Sequence, residues 1–364
     1  MRSILVTGGA GFIGSHLVDE LLEHGYVVRV LDTLVAQVHG EAAHPPQLSK
    51  DAELHVGDVR DSEAVRRALE GIDAVVHLAA RVGVGQSMYE ITEYTSANSY
   101  GTAVLLQALL DRPVQKLVVA SSMSIYGEGS TAPVEALERA RTDLEARRFD
   151  PRGPNGETLH AIPTPETKAP ANSSVYALTK YDQERLCLVF GEAYDVPSVA
   201  LRFFNVYGPG QALSNPYTGV LAIFASRLLN GRRPLVFEDG GQRRDFVNVA
   251  DVTRACTLAL ESDGADGRAV NIGSGENVTV TQIATSLARI LGIDLEPEVT
   301  GKFRAGDIRH CFADITLARE LLGYSPLIPL DEGMRELAAW LETQTAHDHV
   351  DNATAELVAR GLAR

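Results

Sequence analysis

The sequence predicts an α/β protein, a doubly wound parallel sheet with a smaller C-terminal α/β lobe. Three observations carry this. Short apolar segments alternate with helical periods through the first half. Those segments are apolar throughout, as strands covered on both faces should be. Past Asn205 the elements shorten and turns multiply.

Taken in order, Ile4-Leu5-Val6 forms a first strand. Gly11 to His24 has helical periodicity, with Phe12, Ile13, Leu17, Leu21 and Leu22 on one side. Tyr26–Leu31 and Leu54–Val56 are strands, Ser62–Leu69 a helix, and Ala74–Leu78 a fourth strand. A long helix spans Tyr94–Leu110, and Lys116–Ala120 is the fifth strand. Residues 128–172 break the rhythm with charge and with Pro133, Pro151, Pro154, Pro163, Pro165 and Pro170. They read as a surface insertion holding one helix near Val134–Arg147; loops of this length are usually functional or mobile. Helix resumes over Ser174–Tyr194, and strand over Ser198–Leu201. Helices follow at Ala222–Leu229 and Asp251–Leu260, and a strand at Val270–Ile272. The domains expected are a sheet domain over 1–200 that carries the insertion, and a lobe over 201–342 interleaved with returning sheet segments. A tail over 343–364 is expected to be a weak amphipathic helix or disordered. No internal repeat is evident.

The 364 residues are 45% hydrophobic and 22% charged, with a net charge of −15. That composition suits a globular protein and argues against a nucleic-acid partner, which calls for a basic face. An acidic chain can still hold phosphate on a few arginines and helix N-termini. Cys187, Cys256 and Cys311 are far apart in sequence. They suggest neither a disulfide framework nor a zinc site, and no metal is expected. No apolar run reaches membrane-spanning length, and the apolar start is broken by glycines from Gly8 onward. The expected location is the cytoplasm.

Gly8, Gly11 and Gly14 lie between the first strand and the first helix in G-x-x-G-x-x-G spacing, with Phe12 and Ile13 inside the motif. A tight turn, close backbone approach to a pyrophosphate and tight helix packing each require a missing Cβ. This is the dinucleotide-binding (Rossmann) fingerprint. Asp32 ends the second strand 18 residues after Gly14. A carboxylate there accepts from the ribose hydroxyls of NAD and repels the 2′-phosphate of NADP. Asp58-Val59 ends the third strand, where Asp58 can meet the adenine amino group. Ala79-Ala80 follows the fourth, small enough for a cofactor to lie close.

Tyr176 and Lys180 form Y-x-x-x-K on one helix face. A free phenol, with a pKa of about 10, is a poor base at neutral pH. A nearby ammonium and a positive nicotinamide ring favour the phenolate. Ser121-Ser122-Met123-Ser124 follows the fifth strand and brings a hydroxyl to the end of the sheet where open α/β sheets bind ligands.

In this order, the glycine loop, Asp32, the serine turn and Y-x-x-x-K resemble the extended short-chain dehydrogenase/reductase family, the NAD-dependent sugar epimerases and dehydratases. The resemblance covers about residues 1 to 340. It implies that Asn205, in Arg202-Phe203-Phe204-Asn205-Val206-Tyr207-Gly208-Pro209, contacts a nucleotide diphosphate. It also implies that Arg244 and Arg304 bind phosphate, with Asp307 near the nucleoside ribose; guanidinium forks suit that task.

The serine turn narrows the reaction the resemblance implies. The 4,6-dehydratases of the family carry Asp and Glu where Met123 and Ser124 stand, and its sugar-acid decarboxylases carry Glu in place of Ser124. The turn is closer to that of the UDP-galactose 4-epimerases, which makes Ser122 the catalytic hydroxyl. Val82–Tyr89 and Ser214–Val220 are most similar to the dTDP-L-rhamnose 4-epimerase branch. Many members of that branch have cysteine pairs in the insertion, and residues 128–172 have none. The implied activity is NAD-dependent C4 epimerisation of a dTDP- or UDP-linked sugar through a 4-keto intermediate. Tyr176, Lys180 and Ser122 would be catalytic, and Ser87, Ser124, Asn205, Arg244 and Arg304 would place the substrate. The alternatives are a 4-ketoreductase, an NDP-glucuronate decarboxylase or a 4,6-dehydratase on the same scaffold, and more remotely a non-catalytic NAD-binding protein. The resemblance also implies a homodimer, built by the helices near Tyr94–Leu110 and Ser174–Tyr194 as a four-helix bundle.

Overall fold

The computed structural model describes residues 1–40, 45–136, 139–213, 215, 219–304, 307–344 and 350–363. Seven strands form the central sheet: β1 (Ser3–Thr7), β2 (Val27–Asp32), β3 (Glu53–Val56), β4 (Ala74–His77), β5 (Lys116–Ser122), β6 (Ser198–Phe203) and β7 (Ala269–Ile272). They lie in the order β3-β2-β1-β4-β5-β6-β7, every pair parallel. The chain starts in the middle and winds outward both ways. Between β1 and β4 the direction reverses, which opens a crevice at the C-terminal strand ends.

The principal helices are α1 (Phe12–Glu23), α2 (Ser62–Ala68), α3 (Gly101–Asp111), α4 (Val175–Tyr194), α5 (Val220–Leu229), α6 (Val249–Glu261), α7 (Val280–Ile290), α8 (Leu330–Leu341) and α9 (Val350–Ala359). Strand alternation sorts them into layers. Ile4, Val6, Val30 and Val76 face α1 and α6, meeting Leu17, Leu21, Val252 and Cys256. Leu5, Val75, Leu117 and Val119 face the other way, toward α2, α3 and α4, meeting Val65, Leu105, Leu109 and Phe190. Each such side chain, fully buried, contributes about 1.5–3 kcal/mol. A separate core holds the smaller lobe, where Leu221, Phe224, Ile283, Leu287, Met334 and Leu337 join α5, α7 and α8. β7 and α6 return from that half of the chain to complete the sheet layer.

Three expectations need adjusting. The long helix starts earlier, at Ile91–Tyr94, and passes through a π-helical segment, Thr95–Tyr100, before α3. The fifth strand runs on to Ser122. Among the described residues the insertion helix is Arg141–Glu145, and Leu137 and Glu138 of the expected span lie outside them. Just before that helix, the Arg139 guanidinium is drawn to Glu128 and Glu238, each at 2.7 Å. This buried tertiary pairing outweighs the local helix preference of the residues before Arg141. Helices α7 and α8 were not anticipated, although Thr279 and Gln282 form a capping box at the start of α7. Within the tail, Val350–Ala359 is helical, as α9, while residues 345–349 and 364 lie outside the described residues.

Candidate active site

The crevice is a cavity of about 720 Å³ that runs from the glycine loop, past β5 and α4, to Arg304. At its first end Gly8 has φ +69°, and a Cβ there would lie 2.8 Å from Ala79 N. A Cβ on Gly14 would come within 2.3 Å of Gly8 O. The loop therefore closes against the end of β4, and α1 begins directly on top of it. Gly11 is the N-cap of α1 and offers no side-chain cap, while Phe12 and Ile13 line the cavity. The first N–H groups of α1 lack partners within their own helix and suit an anion. Asp32 accepts from Ala10 N at 3.1 Å and Leu34 N at 2.9 Å, and His39 Nε2 stands 3.6 Å away. Two N–H bonds leave a carboxylate with lone pairs for further donors. Asp58, Val59, Ala79 and Ala80 also line this end. Burial pushes the Asp58 carboxyl up, but Arg60 grips it at 2.7 Å and brings it below the usual range. A cradle that a single Cβ would fill, with an acid beyond it, fits a dinucleotide.

Midway, Ser122 ends β5, and its Oγ accepts from Ser124 N at 3.2 Å. Ser122 lines the cavity with Tyr176. Burial pushes the Tyr176 phenol up, and the Ser122 side chain draws it partly back. Lys180 lies one turn further along α4, and burial pushes its ammonium down to about 8. Its Nζ donates to Gln183 Oε1 at 2.8 Å. Gln183 Nε2 in turn donates to Thr102 Oγ1 at 2.9 Å and to Ala79 O at 3.3 Å. His77 lies beside them, with Nδ1 2.7 Å from Thr7 Oγ1 and Nε2 2.9 Å from Thr102 Oγ1. Burial pushes its imidazole down to about 3, so it stays neutral. Thr102 donates to Asn98 O, and the Gln183 amide nitrogen also stands 3.2 Å from His77 Nε2. A buried chain of hydrogen bonds thus joins β1, next to the glycine loop, to the lysine.

A second buried network supports the same strands from behind. Ser121 Oγ donates to Glu184 Oε2 at 2.6 Å, and Arg202 pairs with Glu184 at 2.6 Å. Arg202 donates to Tyr126, which donates to Asn271 Oδ1 at 2.7 Å, so β5, α4, β6 and β7 are tied together. No motif in the sequence pointed to Gln183 or Glu184. Their only signal was a polar residue at i+3 or i+4 from Lys180 on the helix face that carries it.

At the far end the expected substrate residues divide. Ser124, Asn205, Arg244, Arg304 and Asp307 line the cavity. Ser87 does not. It is fully buried, donates to Val84 O at 2.7 Å and accepts from Tyr176 N at 3.0 Å. Its hydroxyl is used up within the fold, so its expected contact with the sugar is replaced by a hold on the backbone of Tyr176. Asn205 Nδ2 donates to Asp245 O at 2.8 Å. Arg244 is partly buried and donates to the carbonyls of Arg243, Arg309 and Ile308. Arg304 grips Asp307 at 2.9 Å and lies over the Phe237 ring, 4.5 Å from its centroid. Burial pushes the Asp307 carboxyl up, but Arg304 and Arg244 hold it below its ordinary value. Leu221, Phe224 and Phe237 add apolar wall that no motif had marked. Ser214, Pro216, Tyr217 and Thr218 of the branch-specific segment, and Ala305 and Gly306, lie outside the described residues.

Among the described residues no group of His, Cys, Asp and Glu is placed to hold a metal. No described helix is long and apolar enough to cross a membrane.

The model of the NAD dependent epimerase/dehydratase family matches residues 4–273. The dTDP-L-rhamnose 4-epimerase of Burkholderia thailandensis is 35% identical over 93% of this chain and 95% of its own. Among solved structures, the UDP-glucose 4-epimerase of Thermotoga maritima with UDP-glucose is 34% identical, with a TM-score of 0.77. The match covers 94% of this chain and 99% of that one. The Thermus thermophilus UDP-glucose 4-epimerase complexed with NAD is 32% identical, with a TM-score of 0.76, over 94% of this chain and 100% of the other.

Proposed function

This chain belongs to the NAD dependent epimerase/dehydratase family, and from that premise we propose that it is an isomerase that inverts C4 of a nucleotide-diphosphate sugar. The observation that carries the reading is the placing of Ser122, at the end of β5, with Tyr176 and Lys180 of α4 together on the wall of the cavity. Gly8, Gly11, Phe12, Ile13 and Gly14 would hold the pyrophosphate of NAD, Asp32 its adenosine ribose, and Asp58 and Val59 its adenine. Ala79 and Ala80 would flank the cofactor, and Lys180 with Tyr176 would hold the ribose on the nicotinamide side. When bound, NAD supplies a reversible two-electron acceptor.

Tyr176 Oη removes the proton from the C4 hydroxyl as that carbon is oxidised, and Ser122 Oγ steadies the same oxygen. The Lys180 ammonium favours the phenolate. The 4-keto sugar turns in the site, and Tyr176 returns the proton to the oxygen of the inverted centre. Arg244 and Arg304 take the diphosphate, Asp307 the nucleoside ribose, and Asn205 and Ser124 the sugar side. Met123 and Ser124 supply no acid or base for eliminating water, which favours epimerisation over dehydration.

The nucleotide sugar is dTDP- or UDP-linked, and the resemblance to the Burkholderia enzyme makes dTDP-L-rhamnose the first to test. The working unit we propose is a homodimer. Tyr100 on the α3 side and Leu178 and Val189 on α4 are more than half exposed in the single chain, and a four-helix bundle would cover them. The compartment we assign is the cytoplasm, in keeping with three free cysteines. The test is to incubate the purified protein, with no added cofactor, with dTDP- and UDP-sugars and read the products by NMR. A C4 epimer without net NADH supports the reading. A decarboxylated, dehydrated or NADH-dependent reduced product overturns it. A light-scattering mass of one chain would remove the dimer.

A further inference from the structure

Residues 350–363 lie along the wall of the cavity, which Val350, Ala353, Thr354, Leu357 and Leu362 line. Helix α9 reaches from one lobe to the other. At its start Asp351 pairs with Arg227, in the last turn of α5, and Arg232, just beyond it, each at 2.7 Å. At its end the Arg360 guanidinium lies 4.4 Å from the centroid of the Tyr89 ring, on the sheet domain. Between these anchors Ala353 and Leu357 are buried, and with Leu362 they face the cavity. Leu357 lies against Gly85, where a Cβ would come within 3.4 Å of its side chain. Gly85 adjoins Ser87, the residue that holds Tyr176. Past the helix, Ala363 pairs with Arg304 as an isolated antiparallel bridge.

We propose that Leu357 and Leu362 are substrate-positioning residues, and that α9 is the wall that keeps the oxidised sugar inside the cavity. The inference rests on the epimerase reading, which creates the need for such a wall. An epimerase must let its keto sugar turn over without letting it leave. If the keto sugar escapes, the substrate has lost a hydrogen from C4 and another from its hydroxyl, the cofactor stays reduced, and the protein is stranded. The wall must also open once per exchange. Its anchors suit that: Asp351 is largely exposed, so its ion pairs are weak, and the apolar contact is a few side chains deep. A wall of leucines excludes water from the reacting carbon and adds no charge that could compete with Tyr176.

The test uses the full chain, a chain ending at Gln344, and the full-length substitutions Leu357→Asp and Arg360→Ala, each checked for fold by thermal melting. Binding of dTDP-L-rhamnose and of dTDP alone is measured by calorimetry, and the cofactor by its reduced-form absorbance. The expected result is that the shortened chain and Leu357→Asp bind dTDP-L-rhamnose about tenfold more weakly. They should also accumulate reduced cofactor and free 4-keto sugar during turnover, with Arg360→Ala in between. Folded variants whose sugar binding and cofactor state match the full chain would overturn the proposal. If the full chain binds but epimerises nothing, the epimerase reading fails instead, and the binding difference between chains still reports on the wall.

Discussion

Ser87 Oγ accepts the backbone N–H of Tyr176 at 3.0 Å while donating to the carbonyl of Val84. The N–H it satisfies is one of the first-turn donors of α4 that have no partner within the helix. Ser87→Ala should therefore cost about 1–2 kcal/mol of stability and lower kcat with little change in KM for the sugar. Chemical denaturation and steady-state kinetics check this. A rise in KM at constant kcat would restore the sugar contact that the sequence had suggested for Ser87.

Lys180 is the next point of leverage. The residue is 3% exposed, and burial lowers its pKa from 10.5 to about 8. Between those two values the unfolded chain holds a proton that the folded chain has released, so raising the pH through that window stabilises the fold. Below about 8 the fold bears the full burden of the buried charge. In cofactor-free protein Lys180→Met should thus raise stability at neutral pH by on the order of 2–3 kcal/mol and flatten the rise toward alkaline pH. It should abolish turnover at the same time. Melting curves across that range decide it, and an unchanged pH slope would count against the lysine as its source.

Gln183 gives Lys180 its acceptor and is itself held by Thr102 and Ala79. Gln183→Leu leaves a buried ammonium without that bond, and should lower kcat about tenfold or more and shift the alkaline limb of the kcat profile downward in pH. Gln183→Glu offers the ammonium a charged acceptor and should move that limb upward. A variant pair that loses activity with no movement of the limb would show a purely structural role.

How much of this was legible in the sequence depends on the range of the interaction. The glycine loop, Asp32 and Y-x-x-x-K are local patterns, because a turn, a strand end and one helix face each fix their residues within a short span. The alternation of Ile4, Leu5 and Val6 likewise gives the faces of the sheet directly. Gln183 and Glu184 have only their spacing from Lys180 as a local signal, and the pairing of Glu184 with Arg202 and of Gln183 with Thr102 joins different elements, which no local pattern gives. Ser87 sat in a segment that looked like a sugar contact, but the close approach of α4 uses its hydroxyl. The insertion helix was overestimated because Arg139 reaches Glu238 on the other lobe, about a hundred residues on. The tail looked weak because the apolar face of α9 makes sense only against a cavity that the rest of the chain builds.

Tyr176→Phe keeps the ring that meets Tyr94 edge-on but removes the group that moves the proton. It should cut kcat about 10²–10⁴-fold while substrate and NAD still bind. Ser122→Ala should cost about 10–100-fold, since it removes one hydrogen bond to the same oxygen and leaves the base in place. Single-turnover kinetics beside calorimetry separate the two effects. Loss of binding in step with loss of rate would mean that these side chains hold the site together without doing the chemistry.

Asp32 carries the last prediction. Its carboxylate already accepts Ala10 N and Leu34 N, and those bonds point it into the cavity at the end of β2. Asp32→Asn keeps an oxygen for one of the two donors and removes the charge. A neutral amide accepts ribose hydroxyls less strongly and no longer repels a 2′-phosphate. In cofactor-stripped protein the affinity for NAD should fall about 10–100-fold and that for NADP should rise, so that the ratio narrows by more than either change alone. Titration of both dinucleotides by calorimetry measures this directly. An unchanged NAD to NADP ratio would mean that the adenosine ribose lies away from β2, and the cofactor orientation proposed above would have to be reversed.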